Sequence, residues 1–193
     1  SAASPAASLL VTARGPLSPA QARALTAGMV GDASIVDGTP LGRAIEEPRT
    51  ALEVQELVRL ALDRGDVVRR DGRWCVVAPL RAPPLDAVLA ERVALRSPRA
   101  RQLLLAGAVF GRPATLATLA EVSRVGTLAQ AAEACAELVR FGLVEDDERR
   151  GGPVTYEVHD RFADVILPQA DPDELRLLHV AAAQRLERTA DHD

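Results

Sequence analysis

The chain has 193 residues, 48% of them hydrophobic, and a formal net charge of -4. That length and composition allow a sizeable core in one or two domains and exclude a disordered chain. The acidic balance argues against a general polyanion binder, and no apolar run approaches the roughly 20 residues that a membrane span needs. Aromatics make up only 3%, so the core must be built from Leu, Val and Ala, which favours packed helices. Cys75 and Cys135 are isolated and fit neither a metal motif nor a disulfide framework. Reduced thiols in the cytoplasm are the expectation. All 23 basic residues are Arg, so there is no Schiff-base lysine and no lysine for a phosphate-binding loop.

Residues 1–14 read as a low-information lead segment, with residues 9–14 a truncated strand. They carry no basic n-region, so a signal peptide is not expected. Ser18, Pro19 and Gln21 then combine an N-cap, a first-turn proline and a capping-box partner, predicting a helix to about residue 30. Thr39 and Pro40 open a second helix over 41–47, which Pro48 breaks. Thr50 caps a third, where Leu52, Val54, Leu57, Val58, Leu60, Ala61 and Leu62 form a broad apolar face ended by Gly65. Residues 66–77 predict a hairpin turning at Asp71-Gly72, with Trp74, the single tryptophan, packing on a helix.

Pro79, Pro83 and Pro84 stiffen a connector over 79–84, the best candidate domain boundary. A helix over 85–95 follows. Ser97 and Pro98 then start a helix that Gly111 stops, a short helix covers 115–122, and a third begins at Thr127 and ends at Gly142. Residues 143–145 and 154–158 bracket a polar loop as two strands of a hairpin. Three helices followed by a two-stranded wing make a winged-helix arrangement over 85–167. A short helix to Leu167 stops at Pro168, and Asp171 to Glu174 open a final helix over 175–189 with acidic residues suited to its dipole. The fold class expected is therefore mainly α: a helical bundle with a β-hairpin, then a winged-helix domain and C-terminal helices.

A winged helix often reads DNA through its third helix, which needs side chains for base edges and cations for phosphates. Here that helix offers Gln130, Glu133, Glu137 and Arg140, and the wing is led by Glu145, Asp146, Asp147 and Glu148 with only Arg149 and Arg150 in answer. The sign is wrong for a groove, so a packing module is expected and a DNA-binding domain is the alternative. No catalytic constellation is legible. His159, His179 and His192 have no metal-ligand spacing, and no paired Ser or Cys surrounds His159 and Asp160. His159 still stands at a strand-to-helix junction, where outward N–H groups can hold a phosphate; the competing reading is a capping or core histidine.

The stretches Gly15-Pro16-Leu17-Ser18-Pro19-Ala20-Gln21-Ala22, Glu53-Val54-Gln55-Glu56-Leu57-Val58, Arg69-Arg70-Asp71-Gly72-Arg73-Trp74, Leu95-Arg96-Ser97-Pro98-Arg99-Ala100-Arg101, Ala108-Val109-Phe110-Gly111 and Tyr156-Glu157-Val158-His159-Asp160 follow one another in order. In that order and spacing, from Leu17 onward, the chain resembles the segment after the nucleotide-binding core of STAND-type regulators, multidomain signal-transducing ATPases. The closest branch is the large ATP-binding LuxR-type transcriptional regulators of actinobacteria and the related maltose-regulon activators.

The resemblance implies an ATPase core, a helical lid, a winged helix and helical sensor repeats, often with a DNA-binding helix-turn-helix. This chain would hold the lid with its hairpin over 15–78, the winged helix over 85–167 and the start of a tetratricopeptide-like region over 168–193. Val158, His159 and Asp160 fall where related receptors carry Met-His-Asp, whose His is thought to touch the ADP phosphate. Pro48, Arg49, Thr50 and Ala51 stand where the family has a Gly-Asn-Pro loop that packs on adenine, so they form a degenerate version of it. The expected role is a non-catalytic relay in the cytoplasm, with no cofactor or metal in this chain and ADP or ATP in a full-length parent. The expected partners are its own ATPase core and sensor domains or another protein, not DNA and not a membrane.

Overall fold

A computed structural model describes residues 15–79, 81, 83–147 and 153–190. The expected lead segment 1–14, the wing tip 148–152 with Arg149 and Arg150, and His192 lie outside the described residues, as do Leu80 and Ala82 of the connector. The described chain is mainly helical with two small antiparallel sheets, and its contacts divide after Arg92 into two compact units. No helix among the described residues is long and apolar enough to cross a membrane.

The first unit begins with α1 (Pro19–Val30). Ser18 Oγ accepts from Gln21 N–H, Gln21 Oε1 accepts from Ser18 N–H at 2.9 Å, and Gly31 closes the helix in the left-handed region. A 3-10 turn (Ala33–Ile35), which the sequence pattern did not indicate, leads into α2 (Pro40–Glu46). Gly42 of α2 lies so near the Val36 carbonyl that a Cβ there would run into it. Helix α3 (Ala51–Arg64) is capped by Thr50 and Glu53, and it ends at Gly65.

Val54, Leu57 and Val58 of α3 are buried with Leu25, Ile35, Leu41 and Ile45. Each such side chain contributes about 1.5–3 kcal/mol by leaving water. Strands β1 (Val67–Arg70) and β2 (Arg73–Val76) form the expected hairpin, and Asp71 and Gly72 turn it with φ of 49° and 79°. Trp74 and Val76 pack on the helical core.

Helix α4 (Leu85–Ala94) follows the proline-rich connector. The sequence pattern places the domain boundary at 79–84 and counts this helix with the second domain. By their contacts, the two compact units divide after Arg92. The physical reason is Arg92 itself: its side chain is fully buried and bridges Glu56 and Asp63 of α3, with Nε 3.1 Å from the Asp63 carboxylate. Arg64 and Glu91 pair beside it.

The second unit runs α5 (Pro98–Phe110), β3 (Ala114–Thr115), α6 (Leu116–Ser123), α7 (Leu128–Arg140), β4 (Val144–Asp147), β5 (Thr155–Val158), α8 (Asp160–Ile166), a 3-10 turn (Leu167–Gln169) and α9 (Pro172–Ala190). Ser97, Thr115 and Thr127 cap α5, α6 and α7. The three-stranded sheet has the order β3-β5-β4, all antiparallel, with Val144 opposite Val158 and Ala114 opposite Tyr156.

Arg96 stacks on the Phe141 ring, 3.6 Å from its centroid, and Gln102 donates to the Ser123 carbonyl at 2.9 Å. Leu178, Ala181 and Ala182 of α9 pack with Leu105, Ala106 and Val122, while Arg185 and Arg188 pair with Glu121.

Candidate functional site

His159 is exposed and is the N-cap residue of α8, but its side chain makes no capping hydrogen bond. Its carbonyl accepts instead, from Phe162 N–H at 2.9 Å. It borders an open depression of about 210 Å³ together with Glu145, Glu157, Val158 and Asp160. Glu145 and Glu157 stand directly opposite each other in the β4–β5 ladder. Three carboxylates therefore line the same depression as the imidazole, and α8 is only 7 residues long. A phosphate placed here would need cations supplied from outside this group, because the carboxylates that line the depression repel an anion.

Val158 has a different part. A Cβ added at Gly107 of α5 would come within 2.6 Å of Val158 Cγ2, so Val158 rests on the helix backbone as a packing residue. Asp160 is exposed at the first turn of α8, where its charge suits the helix dipole.

Pro48, Arg49, Thr50 and Ala51 belong to the first unit, whereas Val158, His159 and Asp160 belong to the second. Pro48 is exposed, and the other three are engaged locally. The Arg49 carbonyl accepts from Leu17 N–H at 2.7 Å, and the Arg49 side chain pairs with Glu47 at 3.0 Å. Thr50 N–H donates to Glu53 at 2.7 Å, and Ala51 is buried at the start of α3. The Thr50 amide holds the Glu53 carboxyl below its ordinary range against the opposing effect of burial, and the Thr50 hydroxyl and the Arg49 charge add smaller effects in the same direction as the amide.

The second unit carries an open groove of about 550 Å³ lined by Ser97, Arg99, Gln130, Glu133, Ala134 and Glu137, among others. Gln130 serves the capping box at Thr127, and Glu137 accepts from Ser97 N–H at 2.9 Å. Two of the residues considered for base reading are thus tied to backbone groups of their own unit. What α7 leaves exposed is Leu128, Ala129, Glu133, Ala136 and Arg140, and β4 exposes Glu145, Asp146 and Asp147. The charge is unevenly divided: residues 1–92 carry 11 Arg against 11 carboxylates, residues 93–193 carry 12 against 16. The whole negative excess lies in the second unit.

Among the described residues no group of three or more His, Cys, Asp or Glu side chains is placed to hold a metal. Buried charge occurs at Glu56, Arg92 and Asp63, which the sequence pattern did not single out. One signal existed. Glu56 and Asp63 are seven residues apart on α3, and Glu56 interrupts the apolar run next to Leu57 and Val58. Their cation comes from 29 to 36 residues away, beyond the reach of any local pattern. Compared with family models, curated proteins and solved structures, the chain shows no significant match.

Proposed function

We propose that the chain is a non-catalytic regulatory and interaction segment of a STAND-type transcriptional regulator. It relays nucleotide or effector state between an ATPase core and the sensor or output domains. The second unit is read as a winged helix. That reading is supported by the order helix, strand, helix, helix, hairpin, and by β3 pairing on the far side of β5 from β4. The first unit is read as the helical lid, on the family-like stretches at Gly15 to Ala22 and Glu53 to Val58.

One observation carries the choice of interaction over DNA reading. The helix in the reading position exposes Leu128, Ala129, Glu133, Ala136 and a single cation, Arg140 at its last turn, and the wing strand beside it exposes three carboxylates. Such a face has little to offer phosphates or base edges, and the unit's excess of acid repels a duplex. Alanines and a leucine fit another protein surface.

The deciding experiment is a mobility-shift titration of the chain with duplex DNA at low salt. No tight, salt-sensitive complex is expected; one would overturn the reading in favour of a DNA-binding winged helix. In a full-length parent, calorimetric titration of ADP into wild type and His159→Ala tests the nucleotide link. Weaker ADP binding in the variant is expected, and equal affinities with both proteins folded would remove His159 from the site.

A further inference from the structure

The β1–β2 hairpin has two unlike faces. Alternation along the strands and the register put Val67, Arg69, Trp74 and Val76 on one face, toward the helical core. Val68, Arg70, Arg73 and Cys75 share the other. Arg70 and Arg73 are exposed and stand directly opposite each other. Neither makes an ion pair among the described residues, as is also true of Arg43 and Arg81 elsewhere in the unit, whereas Arg23, Arg49, Arg59, Arg64 and Arg92 do. Arg69 is engaged differently: its Nε donates to the Gly72 carbonyl at 3.3 Å, and its charge acts on Asp32. Two like charges facing each other across a strand pair are destabilising, and the Asp71 carboxylate in the turn between them makes an ion pair with neither.

We infer that this outer face, through Arg70 and Arg73, docks an extended acidic segment of a partner protein. This goes beyond the relay role and does not depend on it. The two Cα positions lie about 5.5 Å apart if they form a hydrogen-bonded antiparallel pair, or about 4.5 Å if they do not. Carboxylates on alternate residues of an extended chain are about 6.6 Å apart, within reach of both guanidiniums, and each guanidinium can take one carboxylate bidentately. The ribbon is open rather than concave, which suits a peptide better than a small molecule. Two arginines on one face of a chain of net charge -4 are too few for a nucleic-acid backbone, where about 6–10 phosphate contacts are typical. The tight turn at Asp71-Gly72 and the bond from Arg69 hold the pair in place before a partner arrives, so little ordering is lost on docking.

The test uses the whole chain and fluorescence anisotropy with three labelled probes. These are a peptide alternating Glu with Thr, the same peptide with Gln for Glu, and a short DNA duplex. The Glu peptide should bind, weaken with added salt, and lose at least about tenfold in affinity when Arg70→Gln and Arg73→Gln are combined. The Gln peptide should not bind. The double variant should melt no lower than wild type, since an unfavourable pair has gone. Arg70→Glu with Arg73→Glu should switch preference to a peptide alternating Arg with Thr. Three results would overturn the inference: no binding of the Glu peptide to wild type, an affinity unchanged by the Gln substitutions, or duplex binding that those substitutions abolish. The last would reassign the face to phosphates.

Discussion

Val158, the last residue of β5, lies against the backbone of α5 at Gly107, where a Cβ would stand 2.6 Å from Val158 Cγ2 and 3.7 Å from Leu119 Cδ2. The strand end that precedes His159 is therefore positioned by a missing side chain on a helix. Glycine inside a helix costs about 1 kcal/mol relative to alanine, so its presence at Gly107 reflects this close approach.

Gly107→Ala should destabilise the protein despite the better helix former. Overpacking costs about 1–3 kcal/mol, and Val158 is β-branched and cannot swing aside freely. Adding Val158→Ala to Gly107→Ala should recover most of that loss. A double-mutant cycle by urea unfolding measures the coupling. A Gly107→Ala protein as stable as wild type would show that the two elements can part at no cost.

Arg92→Met should cost up to about 3–5 kcal/mol, because it takes the bridging cation from two buried carboxylates and leaves Glu56 with Arg59 as its ion-pair partner. Arg92→Lys keeps the charge but loses the fork that reaches both carboxylates, so it should fall between. Denaturant midpoints of the three proteins decide the order. Equal midpoints for Arg92→Met and wild type would mean that the cluster contributes nothing to holding α4 on α3.

Stability should fall on the acid side partly through Glu53. Its folded pKa lies below the ordinary value of 4.5, chiefly through the Thr50 amide. A depressed carboxyl stabilises the fold above its unfolded pKa and loses that contribution as pH drops through the folded one. Glu53→Gln should therefore lose less stability than wild type does as pH falls below the ordinary carboxyl value of 4.5 and through the folded pKa. Gln can still fill the capping box, as Gln21 and Gln130 do. Identical acid limbs for the two proteins would exclude Glu53 as a contributor.

The two thiols should react in sequence. Cys135 is 2% exposed, and burial, with a smaller push from Asp146, raises its pKa to about 11. It stays protonated and inaccessible at neutral pH, whereas Cys75 sits half-buried on the hairpin. A thiol reagent should label Cys75 in the native chain and Cys135 only on unfolding, which mass spectrometry of the labelled peptides resolves. The raised value also makes stability fall as pH climbs from about 9 toward 11, because only the unfolded thiol ionises readily there. Rapid native labelling of Cys135 would contradict its burial.

Local signals made most helices legible. Ser18 with Gln21, Thr50 and Thr127 satisfy orphan amides within three residues, and Gly31, Gly65 and Gly111 take the left-handed conformation that ends a helix. The turn at Asp71-Gly72 is equally local, since only residues tolerant of positive φ fit it. Strand β3 was not legible because two residues show no alternation; Ala114 and Thr115 become a strand only by meeting Tyr156 and Thr155.

By itself, then, the sequence determined the capped helices, the hairpin and the mainly helical class, all of which rest on interactions between residues a few positions apart. The tertiary structure alone decided that the units divide after Arg92, that Val158 packs on Gly107, that His159 stands exposed among carboxylates, and that Arg70 and Arg73 are left without anions. Each of these depends on which distant groups meet or fail to meet. Burial and charge pairing are properties of that three-dimensional neighbourhood, and a linear pattern carries no record of it.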